Sequence, residues 1–324
     1  MTELERIREL LRGDIDRLNS IIKESLVSNS DLLNAAITAH LKTKGKQLRP
    51  LLVMLSGRLF GGINDCVLNA GAAVELLHNA SLIHDDVIDQ SAERRGIATI
   101  NSIFQNHVAV LTGDFFITTA LRRAVLTRQS RILDELALLG GALSMGEIDQ
   151  ICNAQERNIT EETYMDIIGK KTATLFESCA AMGGYANNQE EDYMKPLRKY
   201  AYLLGLCFQM KDDTFDYYHD PAVGKPTGND LREGKITLPL IYALSLTEHP
   251  RHNEMVQLVH KPELTTEEID TLVEFAKEAG GIDYTYDKME QLREQACAQL
   301  DAYPPSDTVE ALKQLFQYII ERKH

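Results

Sequence analysis

Two acidic runs carry residue types and spacings that can do chemistry. Asp85-Asp86-Val87-Ile88-Asp89 and Asp212-Asp213-Thr214-Phe215-Asp216 each place carboxylates at i, i+1 and i+4. On a helix, positions i and i+4 share a face, so each run offers two hard oxygen ligands in line with a third beside them. Such donors suit Mg²⁺, which keeps several waters and bridges protein carboxylates to substrate phosphates. One such run on an acidic surface helix is ordinarily a solvated face. Here both runs end apolar stripes. Val67, Gly71, Val74, His78 and Ser81 lead into Asp85 and Asp89, while Leu197, Ala201, Leu204 and Phe208 lead into Asp212 and Asp216. Carboxylates on core-facing lines repel one another and need cations to receive them. Neither run has the interior glycine or distal glutamate of a calcium-binding EF-hand loop.

Basic residues stand where surface decoration explains them poorly. Lys46 and Arg49 flank a helix start before Pro50, a position suited to an anion. Arg94-Arg95-Gly96 follows the first acidic run. Lys170-Lys171-Thr172 interrupts an apolar stretch, Lys225 lies in a Gly/Pro loop after the second run, and Lys235 opens the next helix. Together they predict two anion sites beside one Mg²⁺ cluster. His78 lies on the inward stripe, where a phosphate donor and a packed core histidine are both consistent with its position. Phe208 fits core packing equally well.

Helices must position these groups, because the apolar period is 3.6 almost throughout. The pattern predicts one helix over 3–26, a second from Ser30-Asp31, and a third with Pro50 in its first turn. Helices over 65–89, 99–126, 130–152, 161–186 and 190–218 follow, and Gly96 breaks the chain after the first acidic run. Residues 219–234 form a polar loop. Helix resumes at 236–247, a Thr265–Glu268 capping box opens another, and Ser306 caps the last. No linker divides the pattern, so a single all-α domain is expected over 1–324, a helical bundle around a central cavity with the two acidic helices facing each other. The two acidic helices align at a constant offset, with Leu76-Leu77 matching Leu203-Leu204.

Composition narrows the partners. The 324 residues are 44% hydrophobic and 25% charged, and their formal charge of −14 argues against nucleic acid. Five cysteines without a C-x-x-C pair predict a reduced, cytoplasmic protein with buried thiols. The first residues have no apolar signal region, and no apolar run approaches the ~20 residues of a membrane span, so no transmembrane segment is expected.

In order along the chain, Gly45-Lys46-x-x-Arg49-Pro50, His78, Asp85-Asp86-x-x-Asp89, Arg94-Arg95-Gly96, Gly113-Asp114, Gly146-Glu147 with Gln150, Lys171-Thr172, Phe208-Gln209, Asp212-Asp213-x-x-Asp216, Lys225 and Lys235 make a specific set. The sequence resembles the trans-isoprenyl diphosphate synthases, the head-to-tail polyprenyl transferases, over nearly its whole length. It departs from the usual Gly-Gly-Lys-Arg at Lys44-Gly45-Lys46-Gln47 and carries Ala98 where proline is usual, neither change removing a charged ligand.

The resemblance implies that Asp85, Asp89 and Asp212 hold three Mg²⁺ ions per active site on an allylic diphosphate. Asp86, Asp213 and Asp216 would support that cluster, and Arg94, Lys171, Lys225 and Lys235 would neutralise the same diphosphate. Lys46, Arg49, His78 and Arg95 would hold isopentenyl diphosphate, while Thr172 and Gln209 would line the allylic cation. The resemblance also implies a homodimer. A terpene cyclase would replace the second acidic run and has no need of Lys46, Arg49 and Arg95; a non-catalytic subunit typically loses carboxylates that are all present here. Ala80 and Ser81, five and four residues before Asp85, are small where short-chain relatives place an aromatic. With Gly71 and Val74 deeper, and with Phe115 or Phe116 as candidate floor, this predicts a tunnel and a long product of about thirty to fifty carbons, its methylenes filling the line at about 0.8 kcal/mol each. A geranylgeranyl or farnesyl diphosphate synthase is the shorter alternative.

Overall fold

Polar caps set many of the helix starts in this computed structural model, which describes residues 2–42, 45–156, 160–218 and 227–322. Thr2 and Glu5 form a capping box at α1 (Glu3–Leu10), and α2 (Arg12–Ser25) follows. The single helix expected over 3–26 is broken at Leu11 (φ −112°), itself fully buried. The break lets α1 pack on the C-terminal helix while α2 packs on the first acidic helix. Ser30 caps α3 (Asp31–His40), and α4 (Leu48–Leu59) holds Pro50 in its first turn, where no amide hydrogen is missed.

Asn64 accepts from the Val67 amide to start α5 (Asp65–Ile88), the first acidic helix. A two-stranded hairpin, β1 (Glu93–Arg94) and β2 (Ile97–Ala98), succeeds it. Its two turn residues, Arg95 (φ 54°) and Gly96 (φ 71°), both take positive φ, as such tight hairpins require. The apolar period and Gly96 predict only a break there. Next come α6 (Ile100–Leu126), interrupted at Gln105 (φ 72°), and α7 (Ser130–Glu156).

The long helix expected over 161–186 is three segments in line: α8 (Glu161–Ile168), one π-helical turn (Gly169–Ala173) and α9 (Thr174–Tyr185). A π turn inserts an extra residue per turn and commonly marks a functional position. Here it carries Lys171 and Thr172. The second acidic helix is α10 (Glu191–Phe215). Then α11 (Asn229–Arg232), α12 (Leu238–Ser245), α13 (His252–Val259), α14 (Thr266–Glu278), α15 (Gly281–Gln299) and α16 (Asp307–Glu321) complete the chain. The Thr265–Glu268 capping box and the Ser306 cap form as expected, whereas α11 and α13 were not foreseen.

The two acidic helices are joined through α9, which packs on both α5 and α10. Two glycines bring neighbours close to the π turn. A Cβ on Gly146 of α7 would lie 3.1 Å from Lys171 Cα, and one on Gly205 of α10 would lie 2.5 Å from Ala173 Cα. Any side chain there would push the elements apart.

Three expectations need correction. Gly71 does not open onto a tunnel: a Cβ there would meet Leu18 and Pro50, and Val74 is fully buried, so the lower part of that stripe is already filled by protein. Of the five cysteines only Cys179 and Cys207 are buried, and Cys152 is exposed. Finally, α5 is long and apolar enough to cross a membrane by length and composition, but most of that stretch is buried against its neighbours. It is a core helix by packing, since the surface that lipid would cover is already covered.

Candidate active site

The two carboxylate ladders stand on either side of the π turn. From the second, Gln209 of α10 accepts a hydrogen bond from Thr172 Oγ1 (2.8 Å) and donates to Asp213 Oδ1 (2.8 Å). From the other side, Lys171 Nζ reaches Glu147 Oε2 (2.6 Å) and Gln150 Oε1 (2.8 Å) on α7. Lys171 and Glu147 both act electrostatically on Asp85 and Asp89. The adjacent pair Lys171-Thr172 therefore ties the two acidic runs into one cleft.

The six aspartates divide by partner. Asp86 is buried and accepts from Arg94 Nε at 2.8 Å. Asp213 accepts from the Tyr164 hydroxyl (2.6 Å) as well as from Gln209. Asp216 accepts the Asn229 and Asp230 amides at 2.9 and 3.0 Å, closing the start of α11. Asp212 pairs with Arg322 Nη2 (2.6 Å), just beyond α16. Asp85 has no bonded partner among the described residues. Burial raises its carboxyl to about 6, with Lys171 opposing and Glu147 reinforcing the shift. Asp89, exposed at the mouth, is also raised by burial of its carboxyl, against Lys235 and alongside Glu233. Asp213 is raised by burial despite its two hydrogen bonds.

These donors fit a hard divalent cation of a particular kind. Among the described residues no three acidic or imidazole side chains converge on one point. A closed protein cage is thus not formed, and an ion here would take one or two carboxylates with the rest of its shell from water or phosphate oxygen. That is the habit of Mg²⁺ rather than of structural Zn²⁺.

A second cationic group lies below. Arg49 stacks between Phe176 (5.3 Å) and Phe208 (5.5 Å), its Nε buried without a partner. Arg95 lies against Gly45, where a Cβ would come within 3.0 Å of Nη1. The Lys46 ammonium sits 5.6 Å over Tyr318. Burial, then Arg49, Arg95 and Arg94, hold the His78 imidazole well below its usual pKa, so it is neutral and able to donate one hydrogen bond. The structure thus gathers Lys46, Arg49, His78 and Arg95. Lys235 pairs with Glu233 (2.5 Å) in a cleft of about 520 Å³ at the mouth of the acidic site, lined also by Asp89, Glu147 and Arg232. Ala80 is fully buried and Ser81 half-buried, its hydroxyl bonded to the His78 carbonyl (2.9 Å). Phe116 is buried edge-on to His40, while Phe115 is only partly buried. Lys225 lies outside the described residues.

Sequence inspection missed Arg322, Tyr164, Glu233 and the half-buried Glu75, whose carboxyl is raised by desolvation and steadied by Arg49. Arg322 is 110 positions from Asp212 and stacks 4.2 Å over Phe208, and nothing local to either residue signals the pairing.

An all-helical bundle with paired Asp-x-x-x-Asp ladders around cationic pockets defines a diphosphate-handling isoprenoid synthase fold. Residues 30–276 match the polyprenyl synthetase family model, and the chain belongs to that family. It is 33% identical to the octaprenyl diphosphate synthase of Escherichia coli over 320 residues, 98% of this chain and 99% of the relative. A decaprenyl diphosphate synthase structure from Rhodobacter capsulatus superposes with a TM-score of 0.92 at 30% identity, covering 99% of both chains. A polyprenyl synthase from Caulobacter crescentus, complexed with calcium and isoprenyl diphosphate, gives 0.90 at 32% identity over 99% of this chain and 98% of its own.

The raised Asp85 carboxyl yields a pH-dependent prediction. Its folded pKa lies above its unfolded value, so the charged form costs stability in full above about pH 6, and the cost declines below that pH to vanish only beneath the ordinary carboxylate pKa. Asp85→Asn should therefore raise the metal-free melting temperature at about pH 7.5, the gain shrinking as pH falls through about 6. A gain independent of pH in EDTA would contradict the burial of that charge.

Proposed function

We propose that the protein is a Mg²⁺-dependent prenyltransferase that adds isopentenyl diphosphate head-to-tail (1′-4) to an allylic diphosphate, making a long-chain all-trans polyprenyl diphosphate. The observation that carries this is Lys171-Thr172 standing between two acidic runs, with a second cationic group, Lys46, Arg49, His78 and Arg95, near Asp212. One diphosphate binds among the aspartates and a second among the cations. The double bond of the second substrate then faces the carbon that the first leaves exposed.

Asp85, Asp89 and Asp212 are the direct ligands of three Mg²⁺ ions, with Asp86, Asp213 and Asp216 supporting them. Bound Mg²⁺ supplies charge stabilisation of the departing pyrophosphate. Lys171, Lys235, Arg94 and Lys225 neutralise the same leaving group. Arg49, Arg95 and Lys46 orient isopentenyl diphosphate, and neutral His78 donates to it. Thr172 and Gln209 turn oxygen dipoles toward the allylic cation, over the Phe208 ring. The new bond forms from the isopentenyl double bond, and the proton then leaves to the released pyrophosphate, so no protein base is required. Residues 1–324 act as one synthase domain in a cytoplasmic setting. The long product is supported by the small side chains of Ala80 and Ser81 and by the likeness to an octaprenyl synthase; with Ala80 fully buried, its path runs past the half-buried Ser81 rather than past the filled Gly71. A homodimer is supported by the apolar residues that α6 leaves exposed, Val110, Leu111, Leu121 and Val125.

Incubation with farnesyl diphosphate, isopentenyl diphosphate and Mg²⁺ should release pyrophosphate and give products beyond twenty carbons by mass spectrometry. Products stopping at fifteen or twenty would assign a short-chain enzyme, and binding without turnover a non-catalytic subunit. Asp85→Asn and Asp212→Asn should each lower turnover by at least about 100-fold with helicity unchanged; activity within a few-fold of wild type would reject the ligand assignment. Ser81→Phe should shorten the product to fifteen or twenty carbons while the first condensation persists, and wild-type length from that variant would place the tail elsewhere. Light scattering should give a dimer mass that Leu111→Glu with Val125→Glu reduces to a monomer; an unchanged mass would move the interface.

A further inference from the structure

Both described lysines of the allylic site are held by glutamates that belong to neither aspartate run. Glu147, on α7, bonds Lys171 at 2.6 Å, and Glu233, at the end of α11, bonds Lys235 at 2.5 Å. Glu147, Glu233 and Lys235 line the same cleft as Asp89. Arg94 is likewise closed onto Asp86. In the lower cationic group Arg49 and Arg95 make no ion pair among the described residues, and Glu75 acts on Arg49 only from beyond ion-pair distance. A bare diphosphate entering the upper site would therefore meet lysines whose charge is already cancelled, and carboxylates that repel it. The same diphosphate carrying divalent cations meets the opposite field.

We propose that Glu147 and Glu233 are positioning residues that latch Lys171 and Lys235 away from uncomplexed diphosphate, so that the allylic site accepts a diphosphate only together with its divalent cation. The inference rests on assigning Lys171 and Lys235 to the allylic diphosphate. It goes further in making the metal requirement a property of two residues that bind no metal themselves. Releasing either lysine needs only a side-chain swing, since both pairs are partly solvent-exposed. A purely structural Glu147 would behave differently: glutamine in its place still accepts from the ammonium, keeps Lys171 in position and leaves affinity unchanged.

The test is calorimetric titration of the full chain with inorganic pyrophosphate, in EDTA and in Mg²⁺, with isopentenyl diphosphate saturating its own site. Wild type should bind in Mg²⁺ and at least about 100-fold more weakly in EDTA. Glu147→Gln and Glu233→Gln should each tighten binding in EDTA by about tenfold or more, with under about threefold change in Mg²⁺. The gain from Glu147→Gln should vanish in Glu147→Gln/Lys171→Ala. Asp166→Asn, the same charge change on the exposed partner of Lys170, should have no effect. Unchanged or weaker EDTA binding in both glutamine variants would overturn the latch while leaving the allylic site intact. A gain that survives loss of Lys171 would reduce it to general charge removal and overturn it too. Failure of wild type to bind pyrophosphate even with Mg²⁺ would remove the allylic assignment and the latch together.

Discussion

Buried negative charge is the constraint on which the rest of this structure depends. Two helices end in aspartates directed into a cleft where burial pushes carboxyls such as Asp85 upward. An uncompensated charge in such a place is costly, so the protein surrounds the runs with specific partners. Arg94, Tyr164, Gln209, Arg322 and the amides of α11 each take one aspartate. What remains open is Asp85, Asp89 and the second carboxylate oxygen of Asp212, whose first oxygen bonds Arg322. The site is thus assembled so that most of its acidity is neutralised internally and a small remainder is left for metal and substrate.

The π turn and two glycines make this arrangement possible. A continuous α-helix over 161–185 would present Lys171 and Thr172 with a different phase relative to its two ends. The extra residue of the π turn lets Lys171 point to α7 while Thr172 points to α10. Gly146 and Gly205 then permit those helices to close on the turn at backbone distance. Steric absence and one inserted residue thus convert three ordinary packed helices into a bridge between two acidic ladders. Arg49 is held between aromatic faces and makes no ion pair among the described residues, with Glu75 acting on it from beyond ion-pair distance.

Much of this was legible in the residues themselves. Helical period and side-chain caps are local, so α3, α5, α14 and α16 begin where Ser30, Asn64, Thr265 and Ser306 stand. The aspartate spacing, and its position at the end of apolar stripes, points to divalent metal and phosphate. Hidden, by contrast, were the break at Leu11, the Arg95-Gly96 hairpin and the π turn. Each is a departure from regular geometry imposed by what the flanking segments pack against, and a period of 3.6 records only the regular part.

The sequence by itself determined which residues carry charge, on which helical faces they stand, and that oxygen donors of this spacing suit a hard divalent cation and phosphate oxygen. Tertiary structure alone decided the pairings. Arg322 meets Asp212 across 110 positions, Tyr164 meets Asp213 across 49, and Lys171 meets Gln150 across 21. It also decided that Gly71, small and on the acidic helix, is packed under Leu18 and Pro50 rather than open. The reason is physical: a helix fixes the direction of a side chain relative to its own neighbours, but only the packing of one helix on another fixes what that side chain meets.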